Sequence, residues 1–157
     1  MKNKKPLYYD VYLLWDNYSF PEAEWLEFLK AFNLNLYNKR TTRECPIWYS
    51  ITGKGYTLWV SGVHLWLHDG TKFWRIIISC VENTNVDGII LQYLIPYLAI
   101  QRWPQFTILM PNSGYNVYKA SDYLSIAKQD LVCRVGESEL LKHGFLNQSG
   151  DIVLRLL

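Results

Sequence analysis

The chain has 157 residues, of which 50% are hydrophobic, 16% aromatic and 19% charged. This length and apolar content suit a single compact domain over residues 1–157, and they exclude a disordered protein. Sixteen basic and fourteen acidic residues give a formal net charge of +2. Nucleic-acid-binding domains usually have a stronger basic excess, so a nucleic-acid partner is disfavoured without being excluded.

The cysteines and the apolar segments bear on the cellular compartment. Cys45, Cys80 and Cys133 are isolated and form no Cys-x-x-Cys pair, and such an odd, scattered set is a poor disulfide or zinc framework. The apolar N-terminal segment is interrupted by Asp10 and lacks a small-residue cleavage site. The longest nearly uncharged run, residues 88–101, is shorter than the ~20 residues that span a bilayer. We therefore expect a soluble cytoplasmic protein that does not associate with membranes.

The first elements in chain order are a strand and a helix. Residues 8–15 are rich in aromatic and branched side chains and alternate as a strand does. Ser19 and Glu22 have the spacing of a capping box. Apolar residues then recur at helical intervals as far as Leu36, so the pattern predicts an amphipathic helix over residues 20–34.

Residues 46–81 are predicted to form three antiparallel strands in a meander. Asp69-Gly70, which lies between alternating hydrophobic residues, predicts a two-residue type I′ turn, because both central residues of that turn need positive φ. This turn sets a register in which His64 lies opposite Arg75. Side chains alternate across a sheet, so the register also defines two faces. The apolar face, which we expect to be core, holds Val63, Leu65, Leu67, Trp74, Ile76 and Ile78.

The second half of the chain is predicted to form three helices and two strands. Thr84 or Asn85 can cap a long apolar helix that ends at Trp103 and that Pro96 should kink or split. The other elements are a strand over 106–110, helices over 121–131 and 137–143, and a strand over 151–157. The order β-α-β-β-β-α-β-α-α-β predicts an α+β domain with a largely antiparallel sheet and helices packed on one face.

The residues reveal no recognisable catalytic or metal-binding constellation. On a strand, His64 and His68 would lie about 13 Å apart by the ~3.3 Å rise per residue, too far to bind one metal ion directly. We therefore expect no metal and no cofactor, and we favour a non-catalytic role. An enzyme on an unrecognised scaffold stays open as an alternative, with its acid–base groups among Asp10, His64, His68 and His143.

The second face of the predicted hairpin is the candidate binding surface, since it mixes aromatic and potentially cationic side chains. Its members are His64, Trp66, His68, Phe73 and Arg75. Aromatic residues and arginine anchor many protein interfaces, which favours a small protein–protein interaction module of inhibitor, toxin-neutralising or adaptor type. Its partner would be another protein or a second copy of the chain. A helix that covers this face is the structural alternative.

A basic loop supports a nucleic-acid alternative. Lys39, Arg40 and Arg43 form the longest basic cluster, which is most simply a solvated surface loop. RNA-binding sheets stack bases on exposed aromatic residues and meet phosphates with nearby cations. Binding of RNA or another single strand through the candidate surface and this loop is therefore the second hypothesis.

Overall fold

The computed structural model describes residues 8–15, 19–32, 35–38, 47–66, 69–70, 72–81, 84–110, 116–118 and 120–153. The strands in these ranges are β1 (Tyr8–Trp15), β2 (Asn35–Asn38), β3 (Ile47–Gly53), β4 (Tyr56–Trp66), β5 (Lys72–Val81), β6 (Thr107–Met110) and β7 (Asn116–Tyr118). The helices are α1 (Glu22–Lys30), α2 (Val86–Arg102), α3 (Ala120–Arg134) and α4 (Glu137–Lys142). The predicted α+β architecture is confirmed.

The strands form one seven-stranded sheet in the order β2-β3-β4-β5-β1-β6-β7, and every pair of neighbours is antiparallel. Alternation along each strand sends one set of side chains into the core. The buried set includes Val11, Leu13, Val60, Ile76, Ile78 and Ile108. The helices pack on this face, as predicted, with α2 in contact with β1, β4 and β5.

Helix α2 is the central element of the helical layer. Eleven of its 17 residues are buried, which follows from an apolar sequence around nearly the whole circumference. Asn85 caps its first turn, since the side chain accepts a hydrogen bond from the Asp87 N–H at 3.1 Å. The helix continues through Pro96 and is not split there.

An aromatic cluster closes the core beneath α1. The rings of Trp25, Phe28, Trp103 and Phe106 lie next to one another, with centroid separations between 5.3 and 6.1 Å. Most of these contacts are tilted or edge-to-face, the arrangements that aromatic quadrupoles favour. Much of the aromatic excess in the sequence therefore packs into the core.

The predicted helix over residues 20–34 is longer than the helix observed. Helix α1 begins after Pro21, so Pro21 and not Ser19 occupies its N-cap position, and the helix ends at Lys30. Leu36, which continues the apolar period in the sequence, lies on β2 opposite Ile51. Strand β2 begins at Asn35, directly after the predicted end of the helix, and its backbone pairs with β3.

The predicted register of the β4–β5 hairpin is wrong by one residue. Val63, and not His64, pairs with Arg75, and the last pair among the described residues is that of Trp66 with Lys72. The buried alternation explains the difference, because Val60 must share the core face with Ile78, its cross-strand partner. The hydrophobic pattern therefore determines the register here, and the two-residue turn does not form.

The last elements of the chain differ in detail from those that the sequence predicts. The expected strand over 151–157 is reduced to one bridge between Leu146 and Ile152, and residues 154–157 lie outside the described ranges. Helix α4 does end before Gly144, whose φ of 78° suits a residue after a helix C-cap. Strand β7 was not expected from the sequence.

Candidate functional site

The corrected register divides the predicted candidate surface. His64 pairs with Trp74 and Trp66 with Lys72, so neither pairs with Phe73 or Arg75. The side chains of His64 and Trp66 lie outside the described part of the chain, and so do His68 and the basic loop of Lys39, Arg40 and Arg43. Phe73 and Arg75 are described, and both are half-buried.

Phe73 and Arg75 belong to the face of the sheet opposite the helices, which we call the open face. Its central side chains are each half-buried, and no described helix packs over them. They are Asp10, Tyr12, Leu14, Trp59, Val63, Phe73, Arg75, Ile77, Ser79 and Leu109. The open face therefore presents aromatic and aliphatic groups on a rigid support of three interior strands, β4, β5 and β1.

Arg75 lies within this apolar surface and is incompletely satisfied. Its guanidinium carbon is 5.1 Å from the centroid of the Tyr12 ring, a cation–π distance. Its Nε is buried and has no hydrogen-bond partner among the described residues. A buried N–H without an acceptor costs about 1–3 kcal/mol, so the folded chain bears this cost to keep Arg75 at its position on the open face.

The open face also holds an anionic group. The Ser79 hydroxyl donates a hydrogen bond to Asp10 Oδ1, across the pair that joins β5 to β1. Strand β1 is interior to the sheet, and Asp10 lies on its helix-free face. The face thus has two fixed polar positions, a cation and a hydrogen-bonded carboxylate, within an apolar surround.

A polar cluster in the core is structural in character. Gln92 is fully buried and donates to the carbonyl oxygens of Tyr9 and Ile78, at 2.6 and 2.9 Å. Its Oε1 accepts from Arg134 Nη1 at 3.1 Å and from the Cys80 thiol at 3.0 Å. Burial raises the pKa of Cys80 even though Arg134 opposes this shift, which keeps the thiol protonated and unreactive.

The helical side contains a cleft of about 370 Å³ at the N-terminus of α2. His143 Nδ1 lies 2.7 Å from Asp87 Oδ1, and these residues are separated by 56 positions in the sequence. Tyr56 lines the same cleft, and its pKa is raised by burial and by the nearby charge of Asp87. Sequence reasoning missed Asp87 as a partner of His143, because only the docking of α4 beside α2 brings the two together.

The two described members of the acid–base set that the enzyme alternative names lie apart. His143 lines the cleft, while Asp10 lies on the open face beside Ser79, and the side chains of His64 and His68 lie outside the described part of the chain. Among the residues described, no group of three or more His, Cys, Asp or Glu side chains is placed to hold a metal ion. None of the described helices combines the length and apolar character needed to cross a bilayer.

Comparison with known proteins adds no assignment. No protein-family model, curated protein sequence or solved structure matches this chain. Function must therefore be argued from the open face and from the cleft themselves.

Proposed function

We propose that the chain is a small protein–protein interaction module that binds its partner through the open face of the sheet. The observation that supports this proposal is a half-buried arginine that lies beside Tyr12 among aromatic and aliphatic side chains of the helix-free face. Arginine and aromatic residues at the centre of a desolvated patch are typical anchors of protein interfaces.

The partner is expected to match the chemistry of this face. It presents apolar side chains to the surface around Ile77 and Leu14, and an acidic group or carbonyl oxygen to Arg75. The Asp10 carboxylate, fixed by Ser79, disfavours a partner that places a second carboxylate beside it. We therefore expect a partner protein whose contact surface contains both apolar and polar groups, and not a uniformly acidic ligand.

A nucleic-acid partner is less well supported by the same residues. Affinity for nucleic acids comes largely from several cations that neutralise phosphates. The described central strands contribute Arg75 to the open face, together with the Asp10 carboxylate, which would repel a phosphate. Stacking of bases on Tyr12 or Phe73 would have to supply most of the binding energy.

We further propose a reducing, cytoplasmic location. Cys80 is buried and Cys133 is exposed, and both are free thiols. An exposed free thiol is unfavourable in an oxidising compartment, where it pairs with other cysteines.

Affinity capture with the 157-residue chain as bait tests the proposal. The wild type and the Arg75→Gln variant are immobilised and exposed to a lysate of the native host. The Lys142→Gln variant removes the same charge from an exposed position on α4 and serves as the matched control. We expect the wild type and the control to retain one stoichiometric protein. Capture by Arg75→Gln should be at least about thirtyfold weaker, since loss of a desolvated interfacial charge costs about 2 kcal/mol or more.

Two outcomes contradict the proposal. One is equal capture by Arg75→Gln and wild type, because the open face would then not be the contact surface. The other is no stoichiometric partner, combined with saturable quenching of tryptophan fluorescence by an oligonucleotide that weakens steeply with salt. That second result would support nucleic-acid binding instead.

A further inference from the structure

The cleft on the helical side is separate from the open face and has its own chemistry. It is bounded by the turn between β3 and β4, by the first turns of α2 and by the segment that follows α4. Its volume of about 370 Å³ falls within the ~300–1,000 Å³ range of small-molecule sites. The occupant that this space fits is therefore a small molecule.

The floor of the cleft is apolar and rigid. Ile90, Leu91 and Leu94 supply one side from successive turns of α2, and Phe145 and Val153 supply the other. Ile90, Leu91 and Phe145 are at most 8% exposed, so they are anchored in the core beneath the cleft. A floor of this kind binds an aromatic ring or a short alkyl chain by removing it from water.

The wall formed by Tyr56 is held in place by two glycines. An added Cβ on Gly88 would lie 2.6 Å from the Tyr56 Cβ, and one on Gly53 would overlap the Tyr56 ring. Only residues without a side chain allow the tyrosine to pack between the β3–β4 turn and α2. The cleft is therefore built into the fold before any ligand binds, which lowers the entropic cost of binding.

The charged groups at the rim are not equivalent. Asp87 Oδ1 lies 2.7 Å from His143 Nδ1, and the second ring nitrogen of His143 lies 3.6 Å from Glu139. Lys54 lines the same rim, is exposed, and forms no hydrogen bond or ion pair with the residues that the structure describes. Of the ionisable side chains named here, Lys54 is therefore the one whose head group is open to a ligand.

We propose that this cleft binds a small apolar carboxylic acid. The apolar body lies on the floor formed by α2, and the carboxylate pairs with Lys54 at the rim. The Tyr56 hydroxyl, which stays protonated, is a second donor at this end of the cleft. The Lys54 ammonium would repel a protonated amine at the same position. Asp87, the best acceptor for such an amine, already contacts His143 at 2.7 Å.

Three matched probes test this inference on the 157-residue chain. They are 4-phenylbutyrate, 4-phenylbutanol and 4-phenylbutylamine, which share one apolar body and differ in the head group. Binding is measured by amide chemical-shift titration, which also locates the site. We expect 4-phenylbutyrate to shift amides of α2 and of residues 143–145, with an affinity about tenfold above that of the other two probes. A tenfold difference corresponds to about 1.4 kcal/mol.

Variants separate the head-group contact from the apolar one. Lys54→Gln, an exposed substitution, should weaken 4-phenylbutyrate about tenfold and leave 4-phenylbutanol unchanged. Leu94→Trp should fill the cleft and weaken every probe, whereas Lys142→Gln should change none. The inference is overturned if no probe shifts the cleft amides, if the amine binds as tightly as the acid, or if Lys54→Gln leaves 4-phenylbutyrate binding intact.

Discussion

At the scale of single residues, the core is organised around one buried amide. Gln92 donates to backbone carbonyls of β1 and β5 and accepts from Arg134, whose guanidinium carbon lies 3.7 Å from the centroid of the Tyr9 ring. These contacts connect α2, α3 and two central strands through a single side chain. A buried polar group of this kind is stabilising only while its partners are present.

Replacement of Gln92 tests how far the fold depends on this network. Gln92→Met keeps the approximate volume and leaves two carbonyl oxygens and the Arg134 donor without their partner. We expect the free energy of unfolding to fall by about 3 kcal/mol or more, since each buried group left unsatisfied costs about 1–3 kcal/mol. The measurement is urea denaturation at neutral pH.

An exposed glutamine on the neighbouring helix provides the control. Gln129 is exposed on α3, so Gln129→Met should change the free energy of unfolding by less than about 0.5 kcal/mol. If the two substitutions prove equally mild, the buried network does not stabilise the fold as described.

At the scale of elements, the contact between α2 and α3 contains two buried tyrosines. The Tyr123 hydroxyl donates to the carbonyl oxygen of Tyr93 at 2.7 Å, and the Tyr93 hydroxyl donates to Asp130 at 3.0 Å. Burial is the main cause that raises the pKa of both phenols above the ordinary value of 10, and the charge of Asp130 adds to it. The packed helices thus require neutral tyrosines.

This requirement predicts a loss of stability in alkali. Above about pH 10 the unfolded chain releases its tyrosine protons while the folded chain retains those of Tyr93 and Tyr123, so the free energy of unfolding falls as pH rises. Tyr123→Phe should cost about 1 kcal/mol at neutral pH through the lost hydrogen bond. It should also lose less stability than the wild type between about pH 8 and about pH 11.

Urea denaturation of both proteins at these pH values makes the comparison. The wild type and Tyr123→Phe are expected to converge in stability as the pH rises. Parallel curves for the two proteins would show that Tyr123 does not stay neutral in the folded state.

Elements with a consistent local pattern were predictable from the sequence. Strand β1 has the predicted bounds, Asn85 caps α2, and Gly144 follows α4, because each depends on side chains near in sequence. Strand β2 was not predictable, because Leu36 continues the apolar periodicity of α1 in the sequence. The pairing of β2 with β3, which places Leu36 opposite Ile51, involves residues distant in the sequence.

The error in the predicted β4–β5 register had the largest effect on the candidate binding surface. The first half of β4 places Leu58 and Val60 on the core face, while Val63 and Leu65 in the second half suggest the opposite alternation. The Asp-Gly turn signal predicted the register that places Val63 and Leu65 on the core face. The packing in the structure instead buries Leu58 and Val60. Core packing involves long-range partners that local turn chemistry does not contain.

At the scale of the whole molecule, the sheet separates two surfaces with different chemistry. The helical side holds the aromatic core and the cleft, with Lys54 at its rim. The other side is the open face, where Arg75 lies beside Tyr12. Successive residues of a strand point to opposite faces, so its position along the strand decides on which side an aromatic residue lies. The sequence alone does not assign these faces until the register is known.

Methyl NMR with the captured partner tests the central proposal most directly. The methyl groups of Leu14, Ile77 and Leu109 report on the open face, and those of Ile90 and Leu94 report on the cleft side of the same protein. Addition of the purified partner is expected to shift or broaden the open-face methyl signals and leave the cleft methyl signals unchanged. Shifts confined to Ile90 and Leu94, with Leu14, Ile77 and Leu109 unaffected, would contradict the assignment of the open face as the interaction surface.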